Sequence, residues 1–419
     1  MVYEDQLHAG LKSLHNILRP GGTWPSKNTK FIHSVNKVFG VFSVLYYGGI
    51  AVSELTCIIN NYGDLHEMTE AATAFFTTFT TSIKLAAMYI QQKKLQYIIS
   101  VMIQSDYSTE IPIVNHVHSS EFLTGSLQEL KSFLDKSMDD AVKECKRLFN
   151  TLGPAVNGTL VGYMFTPLLA ILYAYIKKDE DFQRSLPFPT YMPFNWQTNP
   201  WLYVVGYTLS IPAATYTAQG YLGIDWIFGC TMIMTNRQFL ILENIIKNID
   251  VYARDINPDD VEETCCRLLY QCMEHHDRLM TKTKEINNTL GFPFLVQFLC
   301  GSLTYCLLAF KTSIELDRPG RLVTYFAFFF AISFQLLLYT YYGEKVITLT
   351  LNLADAAYDT NWPDHSNKFK NCIRMLMRQT QRQSRLSALG FIDLCLPTFT
   401  SILSTAMSYF TLLSSMGAE

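Results

Sequence analysis

Seven stretches of this chain are apolar over about the 20 residues that a helix needs to cross a bilayer. They are Val38 to Ile59, Met68 to Ile90, Leu152 to Ile176, Trp201 to Phe228, Leu290 to Phe310, Leu322 to Tyr342 and Gly390 to Leu413. The second is the most polar, with Glu70, Lys84 and many threonines. Charged residues make up 16% of the chain, against about 25% in typical soluble domains. The expected fold is therefore an all-α membrane protein with seven transmembrane helices. Residues 1–20 show no basic region followed by an apolar core and a small-residue cleavage site, so no cleaved signal peptide is expected.

Lys and Arg in the connecting segments set the orientation, because cytosolic loops carry the excess. With the N-terminus inside, the inner segments hold 26 of the 33 basic residues and the outer segments six, the remaining one being Lys84 within a span. The N-terminus is expected in the cytosol and the C-terminus outside. All ten cysteines fall in spans or inner loops, so no extracellular disulfide framework is expected. A net charge of −3 without single-sign blocks gives no reason to expect a nucleic-acid partner.

The inner loop after the fourth span looks helical. Asn257-Pro258-Asp259-Asp260 reads as a helix start with Asn257 as N-cap, followed by Val261, Leu268, Leu269 and Met273. The fourth to sixth helices are expected to run on into a cytosolic anchor bundle.

Several constellations invite chemistry. Cys265, Cys266, Cys272, His275 and His276 could suggest zinc, but structural zinc sites recruit ligand pairs from separated segments; a face of small buried cysteines with packed histidines is the expectation. Asn199-Pro-Trp-Leu-Tyr203 matches a G-protein-coupled receptor signature at the wrong end of the wrong helix, where Pro opens a helix in the ordinary way. Lys84 is expected to snorkel toward the inner surface, Asp225 to face the cytosolic bundle, and Glu54 to sit near the outer end of the first span. No catalytic or phosphate-binding motif is present. Neither enzyme activity, a cofactor nor a metal is expected.

In the last span Ser401, Thr405, Ser408, Leu412 and Ser415 share one helical face. Such a stripe can ease helix–helix packing or line a wetted path with a leucine constriction. Periodicity alone favours packing.

Three blocks resemble the insect odorant receptor family. Leu186-Pro-Phe, Tyr191, Pro193 and Phe194 are similar to its second outer loop, with Asn195 where Asp is common. Gly343, Val346, Thr350, Leu353, Ala356, Tyr358 and Trp362 resemble the segment after its sixth helix. Gly390-Phe391, Phe399 and Ser408-Tyr409-Phe410-Thr411-Leu412-Leu413 resemble its C-terminal helix. The resemblance implies a tetrameric, odour-gated, non-selective cation channel in the plasma membrane of olfactory sensory neurons. It implies three regions: 1–342 as the odorant-binding bundle, 343–389 as the cytosolic part of helix seven, with Arg374 and Arg378 in an inter-subunit anchor, and 390–419 as the pore-lining part. The break in helix seven would fall near Arg382 to Leu389. Leu412 becomes the gate, and Ser401, Thr405, Ser408 and Ser415 become pore-facing, reversing the packing reading.

The family's pocket lies in the outer half of the membrane. Residues at that depth here are Phe75, Phe76 and Phe79; Thr159, Gly162, Tyr163 and Thr166; Tyr207 and Ile211; and Tyr305. They would enclose a small apolar odorant. The inner loop lacks the long insertion of the family's shared co-receptor, and the chain ends in Ser-Ser-Met-Gly-Ala-Glu. Both features imply an odour-specific tuning subunit that joins the co-receptor in a heterotetramer, with membrane lipid and permeating cations as its other partners. A gustatory receptor shares the topology, and the Ser-Tyr-Phe-Thr-Leu-Leu ending argues for the odorant branch. A G-protein-coupled receptor would invert the charge bias, and a transporter would show saturable uptake.

An epitope fused ahead of Met1 should label only after permeabilisation of cells expressing the full chain; antibody binding to intact cells would invert the topology.

Overall fold

The computed structural model describes residues 30–100, 107–120, 123, 125–178, 184–314, 319–381 and 385–416. They form an all-α bundle with one small hairpin. In chain order the helices are α1 (Lys30–Asn60), α2 (Leu65–Ile90), α3 (Gln92–Ile98), α4 (Pro112–Ser119), α5 (Ser126–Lys177), α6 (Pro200–Lys247), α7 (Ile249–Ile256), α8 (Val261–Ile314), α9 (Pro319–Tyr358), α10 (Asn367–Thr380) and α11 (Leu396–Met416). Short 3₁₀ turns occupy Tyr107–Glu110 and Trp362–Asp364.

Among the described residues, four segments are long and apolar enough to cross a membrane: Gly40–Asn60, Ser126–Lys177, Val261–Ile314 and Leu322–Tyr358. The other three expected spans fall on α2, α6 and α11. In its most apolar window α8 is 61% buried and α5 only 11%. This identifies α8 as the axis of the bundle and α5 as a peripheral helix. The helix α8 packs against α2, α6, α9, α10 and α11. The exposed flank of α5 carries Val161, Phe165, Leu168, Leu169, Leu172 and Tyr173, an apolar surface suited to lipid.

The long helices have local reasons to start where they do. Asn199 caps α6 by accepting the Trp201 N–H at 2.9 Å, with Pro200 in the first turn, where its missing N–H costs nothing. The start of α8 differs from expectation. Asp260, not Asn257, is its cap, accepting the Glu263 N–H at 3.2 Å. Asn257 instead closes α7, its N–H donating to the Ala253 carbonyl. Pro258 and Asp259 form the turn between the two helices, and a Pro in that turn keeps the preceding residue out of helical conformation. As expected, α6, α8 and α9 run well past the length of a bilayer. Their extensions bury Val346, Thr350, Leu353 and Ala356, all at 0% exposure, on one face of α9.

The boundary expected at 342/343 is not a break, because residues 343–358 continue α9. A first interruption follows Tyr358, and a second, around the break expected near Arg382 to Leu389 (382–384 lie outside the described residues), separates Thr380 from Leu396. Residues Gly390–Cys395, expected inside the last span, belong to it. There Ser387 pairs with Asp393 and Ala388 with Ile392 in an antiparallel hairpin. Its three-residue loop, Leu389–Phe391, opens with Leu389 and Gly390 at φ of 53° and 78°, and the Phe391 N–H donates to the Ala388 carbonyl, a turn whose two central residues are both left-handed.

This hairpin seats the base of α11. Asn287 Oδ1 accepts the Ser387 N–H at 2.8 Å, and Glu344 Oε2 accepts the Leu396 N–H at 3.2 Å. A carboxylate at that helix start also complements its dipole. Gly343 lies directly beneath the Leu394 backbone, where any Cβ would overlap the carbonyl oxygen.

Gly343→Ala should therefore unseat α11, costing about 1–3 kcal/mol by overpacking against backbone. A lowered melting temperature of the detergent-purified full chain would register it; unchanged melting would mean that the α9 contact is dispensable.

Candidate functional site

A cavity of about 630 Å³ opens between α2, α5, α6 and α9 beneath the loop 184–197. On α2 the lining residues Thr73, Ala74, Thr77 and Thr78 recur at helical spacing, so they share one face. On α5 the wall is Val156, Thr159, Leu160, Tyr163 and Thr166, and on α9 it is Tyr325, Phe328, Ile332 and Gln335. The roof is the Leu186-Pro187-Phe188-Pro189 segment with Trp196. Tyr163 ties roof to wall: its ring stacks on Phe188 at 6.2 Å and meets Phe328 edge-on at 5.9 Å. Glu67, Glu70, Arg184 and Lys311 also line the cavity.

The floor is charged. Lys84 and Asp225 are 0% and 1% exposed, and their Nζ and Oδ1 atoms are 2.8 Å apart. Tyr339 OH and Gln335 Nε2 both donate to the Asp225 carboxylate. Lys84 also donates to Tyr339 OH at 3.0 Å and lies 4.6 Å from the Tyr221 ring centroid, a cation–π contact. The snorkelling expected of Lys84 does not occur, and Asp225 faces the cavity floor rather than the far bundle. The reason is mutual: each charge is compensated by the other, and Tyr221, Gln335 and Tyr339 complete the shell around the pair, so neither needs water. Glu54 is also fully buried, between α1 and α2, and accepts from Thr78 Oγ1 at 3.1 Å.

Of the ten residues expected at the pocket, Thr159, Tyr163 and Thr166 line this cavity. Phe75, Phe76 and Phe79 sit on the other side of α2. Phe75 stacks on Phe79 at 5.8 Å, and Phe79 is 37% exposed. Gly162 lies beside the α5 wall, outside the lining. Tyr207 donates its hydroxyl to the Met164 carbonyl, tying α6 to α5. Ile211 is exposed. Tyr305 is buried behind α9, donating to Ser333 Oγ at 2.9 Å and packing edge-on against Phe329. The sequence did not show which way each helix turns. The missed residues are Tyr221, Asp225, Tyr325, Phe328, Gln335 and the roof. Their signals were a charge within an apolar span and a loop dense in Pro and aromatic residues.

On α11, Phe399, Ile402, Leu403 and Ala406 pack against the core. Ser401, Thr405, Ser408 and Leu412 are all exposed on the uncovered side. Ser415 falls on the last turn, whose side chains lie outside the described residues. On α10, Phe369, Ile373 and Leu376 point inward while Arg374 and Arg378 are exposed. His275 and His276 are buried as expected, the first against Gln238 and the second edge-on to Phe239. Burial pushes both imidazoles down to about 4, so they are neutral at pH 7.

The arrangement defines a multi-pass helical membrane protein that encloses a cavity of ligand size, with no assembly of catalytic groups around it among the described residues. The sequence model of the family described as 7tm Odorant receptor matches residues 64–407, and the chain belongs to that family of insect receptors; it is not an enzyme. Among curated relatives in Drosophila melanogaster, Odorant receptor 85c is 22% identical over 75% of this chain and 76% of its own length. Odorant receptor 22c is 26% identical over 61% of this chain and 64% of its own. The solved structure of the insect olfactory receptor OR5 from Machilis hrabei in complex with eugenol superposes with a TM-score of 0.78 at 16% identity, covering 99% of each chain. That likeness shows a shared fold.

Lys84→Met should leave Asp225 uncompensated and cost about 3–5 kcal/mol, while Lys84→Met with Asp225→Asn should recover most of the loss. Thermal unfolding of the detergent-purified receptor distinguishes them; equal losses would mean that the pairing itself contributes little.

Proposed function

We propose that this chain is an odour-specific subunit of a ligand-gated, non-selective cation channel. Its place is the plasma membrane of olfactory sensory neurons, where it assembles with the family's co-receptor as a heterotetramer. Seven helices (α1, α2, α5, α6, α8, α9 and α11) cross the membrane, with the N-terminus in the cytosol and the C-terminus outside. The 184–197 loop then lies on the outer side. α7, α10 and the extensions of α6, α8 and α9 form the cytosolic anchor, to which the 343–389 region contributes.

The observation that carries this reading is the roofed cavity. Its volume suits one small volatile. Tyr163, Tyr325, Phe328 and Ile332 supply an apolar wall, and Thr73, Thr77, Thr159 and Thr166 supply hydroxyls for orientation. A small, mainly apolar odorant with a hydrogen-bonding group fits that chemistry. The eugenol held by OR5 of Machilis hrabei is a ligand of this kind, and it supports the reading by relationship. The further expected pocket residues (Phe75, Phe76, Phe79, Gly162, Tyr207, Ile211 and Tyr305) would act from behind the wall, by shaping it.

Opening is assigned to α11. Ser401, Thr405, Ser408 and Ser415 would face the conduction path and Leu412 would close it by dewetting. Ligand binding shifts the population toward an open arrangement of α11 in proportion to its preference for that state.

The test is whole-cell recording from cells expressing this chain with the co-receptor against an odorant panel. Tyr163→Ala should raise the half-activating concentration of the best odorant roughly tenfold or more, equivalent to about 1.4 kcal/mol, at unaltered surface expression. Unaltered sensitivity would remove this cavity as the odour site. Leu412→Ala should raise basal current; unchanged basal current, odour response and selectivity would remove Leu412 as the gate.

A further inference from the structure

His365 follows the 3₁₀ turn Trp362–Asp364, where α7, α8 and the start of α10 meet, and its ring lies on Phe369 at 4.1 Å. Both of its nitrogens face carboxylates. Nδ1 is 2.6 Å from Glu262 Oε2, and Nε2 is 2.7 Å from Asp250 Oδ1. The Sγ of Cys265, a fully buried thiol, is 3.5 Å from the same Asp250 oxygen. Donor atoms of Asp250, Cys265 and His365 all lie within 4.8 Å of one another. The three side chains come from α7, α8 and the turn before α10, so the cluster joins three segments.

A neutral imidazole has a single N–H and cannot satisfy two carboxylates. Either the ring is an imidazolium, or a cation sits at one nitrogen. The surroundings separate the two edges of the ring. Glu262 is held in place, because its Oε1 accepts the Ser366 N–H at 3.0 Å. Its Oε2 therefore meets Nδ1–H as an orienting carboxylate, leaving the Nε2 lone pair toward Asp250 and Cys265. A carboxylate behind a histidine is the usual support for a metal ligand. An imidazolium bridging two carboxylates would have no need of a thiol on the same oxygen.

We propose that Asp250, Cys265 and His365 Nε2 bind a Zn²⁺ ion, with Glu262 orienting the histidine and a water completing the tetrahedron. One sulfur, one nitrogen and one oxygen donor suit zinc rather than Mg²⁺ or Ca²⁺, which take oxygen ligands. Bonds of about 2.0–2.3 Å put tetrahedral donors roughly 3.2–3.6 Å apart. The Cys265–Asp250 separation already fits, and the His365–Asp250 separation has to widen by about half an ångström. Binding sends the Cys265 thiol proton to solvent. The ion would clamp α7 and the start of α10 onto α8.

The test uses the full-length chain purified through an epitope tag, without metal-chelate resin. Elemental analysis should find near-stoichiometric zinc. After chelator treatment the chain should melt at lower temperature and recover on adding ZnCl₂ alone. Co²⁺ in its place should give a thiolate charge-transfer band that Cys265→Ser abolishes. Cys265→Ser and His365→Gln should each melt like the stripped wild type and ignore added zinc, while Cys266→Ser and Cys272→Ser, one and seven positions along the same helix, should keep the metal. Glu262→Gln should weaken zinc affinity about 10–100-fold. A wild-type chain without zinc, whose melting ignores added ZnCl₂, would overturn the proposal in favour of the imidazolium. So would zinc retained by the Cys265→Ser/His365→Gln double variant.

Discussion

The ion pair between Lys84 and Asp225 is the constraint around which the bundle is organised. Two unit charges on helices 141 positions apart in sequence meet away from solvent, where an uncompensated ion is costly by several kcal/mol. That cost makes the rotation of α2 against α6 nearly a single choice, since turning either helix orphans a charge. Gln335 and Tyr339 on α9 complete the shell, so a third helix is fixed by the same centre. Because the protein supplies these donors itself, the cavity above can hold an apolar molecule without stranding a polar group. The Tyr339 ring, whose hydroxyl serves the charges, packs against Phe228, Phe294 and Phe298 at 5.4, 4.8 and 6.3 Å. The cavity floor is thus in direct contact with α8, the helix on which α11 rests.

The two ends of the bundle have different physical characters. Toward the hairpin, α6, α8, α9 and α10 bury a continuous aliphatic and aromatic core, close-packed and resistant to deformation. Toward the 184–197 loop, α5 stands off the axis, with Pro154 and Pro167 inside it, and the space between the helices is the cavity. The proposed binding site at the loosely packed end and a close-packed core at the other would be a division suited to transmitting a change of shape, because only one end has room to move.

The legible part of this architecture was whatever repeats along the chain. Apolar runs located the long helices, Pro200 marked the start of α6, and spacing put Ser401, Thr405, Ser408 and Leu412 on one face of α11. The illegible part was rotation about the helix axis. In water an aromatic face points to the core, but against lipid it can point outward at no cost, so Phe75 and Phe79 on α2 outranked Thr73 and Thr77, which line the cavity. Long-range pairings were equally hidden. Lys84 read alone suggests snorkelling, and only Asp225 opposite it makes burial affordable. His365 read alone is unremarkable, since Asp250 and Glu262 lie more than 100 positions away. Asn257 misled for a local reason: Asn-Pro-Asp-Asp holds three capping candidates, and the last one won because Pro258 shapes the turn ahead of it.

The uncovered face of α11 follows from the same balance of polarity and burial. Two of its hydroxyls are satisfied within the helix, Ser408 donating to the Ser404 carbonyl at 3.0 Å and Thr411 to that of Ser408 at 2.8 Å, which lets these two sit in apolar surroundings cheaply. Small polar residues on a membrane helix usually serve close packing. Here the packing against α8 and α9 is done by Phe399, Ile402, Leu403 and Ala406, and a stripe on the opposite side meets no helix among the described residues. Lipid, water or a neighbouring subunit can cover such a face, and hydroxyls suit the last two better than the first. The proposed channel supplies both, and in it a hydroxyl face closed by Leu412 has a use that a lone bundle could not give it.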